Sequence, residues 1–208
     1  MRCNFKIDGK NVNEFMNDFL QESVSNYVRN CNKCYNCLSR YIALGNGDKN
    51  PEIMCIGELP NTSKETITSL KLKNGHYNVC NAFTGKAGDF LRDIVKEAGF
   101  KSAYYTNLLK HGFEDNKVNE ERWDNCSNWL DTEIAIVNPK IIILLGTLPT
   151  KYILELDNPN KVRNTMIEVG RLKYFSTWHP SYCSIYNRIS KNDYLNIFKK
   201  IKKEIEVD

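Results

Sequence analysis

The apolar positions change period several times along the chain. From Asn13 to Tyr27 they fall at Phe15, Met16, Phe19, Leu20, Val24 and Tyr27, a helical stripe. The segment from Asn30 to Asn50 is polar and rich in cysteine. Ile53-Met54-Cys55-Ile56-Gly57 then reads as a short buried strand. Asn61 to Asn81 is polar again, with a turn signal at Asn74-Gly75. Lys86 to Gly99 is predicted to be a helix, with Phe90, Leu91, Ile94 and Val95 on one face and Gly99 as its C-cap. A second strand follows at Ala103 to Leu109. Asn119 to Val137 is a long helix that stops near Pro139. Ile141 to Gly146 is the clearest strand, and its unbroken apolar run suits a parallel strand covered on both faces. A short helix opens at Thr147 with Pro149 in its first turn. Met166–Val169 and Tyr174–Trp178 are further strands. Asp193 to Val207 closes the chain as an amphipathic helix, with Tyr194, Ile197, Phe198, Ile201 and Ile205 inside and lysines outside.

Alternating strands and helices predict an α/β fold: a three-layer α/β/α sandwich around a four-stranded, mainly parallel sheet. In such folds the site lies at the carboxyl ends of the strands. That rule selects Gly57-Glu58-Leu59-Pro60-Asn61, Asn107, Gly146-Thr147 and Trp178-His179-Pro180-Ser181. The length of 208 residues suits a single domain, with 1–30 as a helical extension and 61–82 as an inserted loop. The 41% hydrophobic and 26% charged residues are globular values. No apolar run approaches the roughly 20 residues of a membrane-spanning helix. The first residues lack the apolar stretch of a signal peptide, so the chain is expected to be cytoplasmic. The net charge of +4 permits nucleic-acid binding without arguing for it.

The 8 cysteines change this picture, because a cytosolic domain of this size does not need disulfides. Cys31, Cys34 and Cys37 are spaced Cys-x2-Cys-x2-Cys, and two cysteines in one turn can grip one metal centre. A Cys-x2-Cys pair needs partners from elsewhere, for which Cys126 and His111 are the best candidates. Cys55 sits in an apolar strand as a small core residue. Cys3, Cys80 and Cys183 follow no spacing logic.

Three polar residues stand at predicted strand ends. Glu58 follows its strand through a glycine, which puts a carboxylate at the mouth of the sheet. Asn107 offers one donor and one acceptor, the complement of an amide edge such as that of a pyrimidine. His179 follows the last strand, and an imidazole can donate to a developing oxyanion.

The same residues carry a family pattern. Cys31-x2-Cys34 is followed six residues later by Arg40, then by the turn Gly45-Asn46-Gly47 and the strand ending Gly57-Glu58-Leu59-Pro60-Asn61. Ala82-Phe83-Thr84-Gly85-Lys86-Ala87-Gly88 opens a helix. Thr106-Asn107-Leu108-Leu109-Lys110-His111 ends a strand. Cys126 to Leu130, Pro139 to Ile142 and His179-Pro180-Ser181 complete the order. From Cys31 to Ser181 the chain resembles the uracil-DNA glycosylase superfamily, and within it the iron–sulfur group often called family 4. The resemblance implies a DNA glycosylase that flips a damaged or modified pyrimidine, uracil by default, out of DNA. It would hydrolyse the N-glycosidic bond and leave an abasic site. Glu58 and His179 would be catalytic, and Gly57, Leu59, Phe83 and Asn107 would bind the base. Ser181, Tyr182, Arg188 and Lys86 would touch DNA. Cys31, Cys34, His111 and Cys126 would hold a 4Fe-4S cluster. DNA is the implied partner, with no membrane and a monomeric chain.

The chain departs from the family at three points. His111 stands where the family has its third cluster cysteine. Histidine ligates iron in Rieske centres; alternatively Cys37 fills the place, the metal is zinc, or there is none. Leu59 and Asn61 replace smaller residues beside the pocket. The stretch between Pro60 and Phe83 is longer than in the family and could form a lid. A glycosylase for a bulkier modified base, hydroxymethylated or glucosylated, therefore stays open, as does a non-catalytic DNA-binding member of the fold.

Overall fold

Each unbroken apolar run becomes a strand covered by helices on both faces. The computed structural model describes residues 6–7, 10–11, 22–24, 26–28, 31–34, 37–60, 78–113 and 115–207. The strands are β1 (Lys6–Ile7), β2 (Lys10–Asn11), β3 (Cys37–Leu44), β4 (Asn46–Gly47), β5 (Ile53–Gly57), β6 (Asn78–Asn81), β7 (Ala103–Asn107), β8 (His111–Phe113), β9 (Ile141–Leu145), β10 (Met166–Val169) and β11 (Leu172–Thr177). The helices are α1 (Lys86–Glu97), α2 (Glu120–Val137), α3 (Thr147–Leu154), α4 (Ser181–Ser184) and α5 (Lys191–Val207). Most of the expected N-terminal helix lies outside the described residues; 22–24 and 26–28 are helical.

The central sheet has the order β10-β11-β9-β5-β7-β4. Its inner four strands, β11, β9, β5 and β7, run parallel. The short strands β4 and β10 add antiparallel edges, so the expected four-stranded sheet grows to six. Side chains alternate between the two faces, as the period of a strand demands. Ile53, Cys55, Tyr105, Ile141, Ile143 and Phe175 pack with Leu91 and Ile94 of α1 and Tyr194 and Phe198 of α5. Met54, Ile56, Tyr104, Ile142, Leu144 and Tyr174 pack with Leu130 and Ile134 of α2. Helix α2 starts where Asn119 caps it, accepting from the Arg122 N–H at 2.9 Å, and ends at left-handed Asn138.

A second sheet, β6-β3-β8, was not anticipated. The polar, cysteine-rich stretch contains an eight-residue strand, β3, parallel to β6 and antiparallel to β8. Both partners are remote in sequence, so tertiary pairing rather than local propensity makes the strand.

One buried ion pair ties these layers together beneath the end of β7. Lys110 Nζ donates to Glu133 Oε2 at 2.6 Å, to Thr106 Oγ1 at 2.5 Å and to the Asn107 carbonyl at 2.9 Å. Thr106 and Tyr104 hydroxyls donate to the two Glu133 oxygens at 2.7 and 2.9 Å. Both charged side chains are almost fully covered, 2% and 8% exposed. Val24 and Val28 of the N-terminal helical segment line a cavity of about 20 Å³ beside the pair, room for a single water. Removing one partner of a buried pair leaves the other charge uncompensated. Glu133→Ala is therefore expected to lower the unfolding free energy by about 3–5 kcal/mol in urea titration. A loss below about 1 kcal/mol would place this pair with ordinary surface bridges.

Candidate active site

The four predicted strand ends do converge, and glycines are the reason. Gly57 ends β5. A Cβ there would lie 2.6 Å from the Phe83 ring and 2.7 Å from Asn107 Oδ1, closer than real Cβ contacts allow. Gly146, after β9, has φ +109, and a Cβ on it would lie 3.2 Å from Glu58 Oε1 and 3.5 Å from His179 Cβ. The Phe83 and His179 rings stack with centroids 6.1 Å apart and planes 25° from parallel. Asn107, Gly57, Phe83, His179, Gly146 and Glu58 thus form one continuous wall. Backbone bonds fasten it: Leu108 N–H to Gly57 carbonyl at 2.9 Å, Leu109 N–H to Glu58 carbonyl at 3.1 Å, and Gly146 N–H to Thr177 carbonyl at 2.8 Å.

Electrostatics give the polar groups distinct states. His179 Nδ1 accepts from the Ser181 N–H at 3.3 Å and lies 2.8 Å from Ser181 Oγ. An accepting Nδ1 puts the proton of the neutral ring on Nε2. Burial pushes the His179 pKa down to about 4, so the ring is neutral near pH 7. Burial pushes the Glu58 carboxyl above the usual carboxylate range. Asn107 is buried, with its backbone held by Lys110.

The remaining candidates are distributed around this wall. Leu59 packs onto the α2-side core, the face opposite Phe83. Lys86 is exposed at the start of α1. After His179 the chain turns through α4, where the Tyr182 ring lies tilted against Trp178 at 5.2 Å and meets Tyr186 at 6.2 Å. Tyr182, Ile185 and Tyr186 are exposed, 36%, 49% and 61%, and form an apolar tip beside the site. Arg188 is exposed, and its N–H donates to the Tyr182 carbonyl at 2.7 Å. Asn61 and most of the expected inserted loop, residues 61–77, lie outside the described residues.

Sequence reasoning missed several supports. Arg163 packs 3.9 Å over the Trp178 ring and donates to the Thr177 carbonyl and Thr147 Oγ1 at 3.4 and 3.2 Å, clamping the ends of β9 and β11. Arg92 and Asn46 hold the backbone before Phe83. Glu133 is the hidden partner of Lys110. None of these follows a motif spacing; each contact joins residues far apart in sequence.

The cysteine cluster lies on the α2 side. Cys31, Cys34 and Cys126 are cysteines outside any disulfide. Cys126 Sγ accepts from the Lys110 N–H at 3.4 Å, beside His111. Burial pushes the Cys126 thiol up to about 11, with smaller contributions from Cys34 and Cys31. Asn125 Nδ2 donates to the Lys33 carbonyl at 3.3 Å and ties the Cys31–Cys34 segment to α2. His111 is buried, and its Nε2 has no hydrogen-bond partner among the described residues. A buried ring nitrogen without a partner among the described residues, together with the Cys31, Cys34 and Cys126 thiols, has the chemistry of a soft-metal donor set. Among the described residues no three such side chains converge as the ligands of a single ion do. By donor type alone, cysteine thiolates with one imidazole are ligands that an iron–sulfur centre takes. The Cys37 side chain lies outside the described residues; its backbone pairs with Phe113, two residues beyond His111.

Comparison with known proteins agrees with this geometry. The family described as the uracil DNA glycosylase superfamily matches residues 44–202. The chain belongs to this superfamily, and with it to the DNA glycosylases, hydrolases of N-glycosyl bonds. Among its relatives, a type-4 uracil-DNA glycosylase of Thermotoga maritima is 29% identical over 78% of this chain and 82% of its own length. Those of Sulfurisphaera tokodaii and Archaeoglobus fulgidus are 31% and 26% identical, over 87% and 90% of this chain and 83% and 92% of theirs. Within the superfamily the chain is thus a member of the type-4 group.

The close approach at Gly57 has a direct test. Gly57→Ala is expected to fold while displacing Phe83 from Asn107, and to slow base excision about 100-fold. Single-turnover excision beside a thermal melt checks this. An unchanged rate would mean that these two residues do not flank the reacting base.

Proposed function

We propose that this protein removes uracil from DNA by hydrolysing the N-glycosidic bond, leaving an abasic site. The observation that carries the reading is the contact at Gly57 and Gly146, which gathers an amide, an aromatic face, a neutral imidazole and a carboxylate at one sheet mouth. In this reading an extruded pyrimidine stacks on Phe83, lies over Gly57, and has its amide edge read by Asn107. As the C1′–N1 bond breaks, its electron pair moves onto the base and charge gathers on a carbonyl oxygen. The Nε2–H of His179 donates to that oxygen, an interaction worth roughly 3–4 kcal/mol in comparable oxyanion sites. Glu58 stabilises the cationic sugar and orients the water. The water oxygen bonds to C1′, and the proton it loses balances the one gained by the departing base. Tyr182, with Ile185 and Tyr186 beside it, fills the gap left in the stack, and Ser181, Lys86 and Arg188 line the path of the DNA backbone.

The placement of Leu59 on the opposite core face supports uracil over a bulkier base. Duplexes carrying uracil, hypoxanthine, hydroxymethyluracil or a glucosylated pyrimidine, each followed by alkali cleavage, test the choice. Uracil is expected to give the strand break. Cleavage only at a bulkier base would transfer the function to that substrate, and no cleavage at any would favour a DNA-binding role.

The pH dependence follows from the two burial effects. Glu58 loses its charge as pH falls through a pKa above the ordinary 4.5, so excision should decline on the acid side with a midpoint above that value. His179 stays neutral down to about 4 and should add no step at the usual histidine pKa. Single-turnover rates from pH 4 to 8 check both; a limb centred near 6.5 that vanishes in His179→Gln would contradict the neutral assignment.

Cys31, Cys34, Cys126 and His111 are the residues that would hold a 4Fe-4S cluster. When bound, the cluster supplies cross-linking metal–ligand bonds that couple ligand placement to folding. The ligands themselves would tie the N-terminal segment to α2 and to β8, which begins four residues beyond Asn107. Protein purified without oxygen is expected to be brown and to contain about four irons and four sulfides per chain. Zinc in place of iron, or a folded, active chain without either, would overturn the assignment.

A further inference from the structure

Phe83 has φ +58, a left-handed backbone that a bulky residue does not adopt unaided. Something must hold it there. On its C-terminal side the helix closes against it: a Cβ on Gly88 would lie 1.7 Å from the Phe83 carbonyl oxygen, so only glycine permits the turn. On its N-terminal side the Ala82 carbonyl accepts from Asn46 Nδ2 at 3.1 Å and from Arg92 Nη2 at 3.3 Å. Arg92 Nη2 also donates to Asn46 Oδ1 at 3.0 Å, which locks the two donors together. The Ala82 N–H donates to the Leu44 carbonyl at 2.8 Å. The Arg92 guanidinium lies 4.1 Å over the Tyr105 ring, and Tyr105 meets the Phe83 ring at 6.3 Å. One guanidinium therefore supports both the peptide before Phe83 and the ring beside it.

We propose that Arg92, acting with Asn46, is a positioning residue that holds Phe83 in the conformation needed to stack on the extruded base. Neither residue touches the base. The inference rests on the reading that Phe83 is the stacking ring. Arg92 borders an open cleft of about 270 Å³ that is also lined by Asp48, Lys96 and Lys101, so truncating it does not empty the core.

A double-mutant cycle separates positioning from general support. In the full-length protein, Arg92→Ala is expected to lower the single-turnover excision rate by 10- to 100-fold, with KM for uracil-containing DNA changed less than about threefold. In a Phe83→Ala background the same change should cost no more than about twofold, because the ring it positions is gone. Asn46→Ala should behave in the same way, and Arg92→Lys should restore part of the rate. Equal fold-losses with and without the Phe83 ring would overturn the proposal. If Phe83→Ala alone has no effect on excision, it is the assignment of Phe83 as the stacking ring that fails. A second readout does not depend on turnover. With 4-fluorophenylalanine in place of phenylalanine, Arg92→Ala is expected to shift or split the 19F resonance assigned to position 83. An unmoved resonance would overturn the proposal even in a protein inactive on every substrate. Should Arg92→Ala not fold, Asn46→Ala and Arg92→Lys carry both measurements.

Discussion

Everything at this site depends on two places where a hydrogen stands and a methyl group would not fit. Gly57 lets the Phe83 ring and the Asn107 amide close over the end of β5; Gly146 lets Glu58 and His179 meet over the end of β9. Parallel strands end at the same edge of the sheet, so the topology alone brings these residues near one another. Nearness of this kind still leaves a side chain's width between neighbours. The glycines remove that width, so the aromatic ring and the amide stand side by side over one strand end.

The surrounding core fixes the backbone on either side of these contacts. The buried Lys110–Glu133 pair grips the Asn107 carbonyl from below, and the Arg92–Asn46 pair grips the Ala82 carbonyl from behind. Both devices place a charge on backbone rather than on substrate. The reacting face is left with the neutral His179 imidazole and the Glu58 carboxylate, each with its pKa displaced by burial. A neutral Nε2–H donor beside a carboxylate suits a reaction in which negative charge grows on the leaving base while positive charge grows on the sugar. Cys31, Cys34 and Cys126 lie apart from this face, on the α2 side, where Cys126 Sγ accepts from the Lys110 N–H.

Much of this arrangement was legible in the chain. The inner strands, helices α1, α2 and α5 and the strand-end residues Glu58, Asn107 and His179 follow from apolar period and from the rule that sites lie at carboxyl ends. What was hidden is what arises from contacts between distant segments. Strand β3 reads as a polar cysteine-rich stretch because its partners, β6 and β8, lie far along the chain. Nothing in the apolar period marks Glu133, and only the fold turns it inward toward Lys110. Arg92 reads as the polar side of an amphipathic helix, yet its guanidinium reaches across to the peptide preceding Phe83. The strain at Phe83 was invisible for the same reason: local sequence disfavours its φ, and the neighbouring glycine and carbonyl contacts impose it.

The most direct test of the account follows the oxygen atom. A uracil-containing duplex is incubated with the protein in water enriched in oxygen-18, and both products are analysed by mass spectrometry. The account predicts unlabelled uracil together with an abasic sugar carrying one heavy oxygen at C1′, read after reduction to prevent exchange. Heavy oxygen in the released base, or a base left attached to the strand, would contradict it.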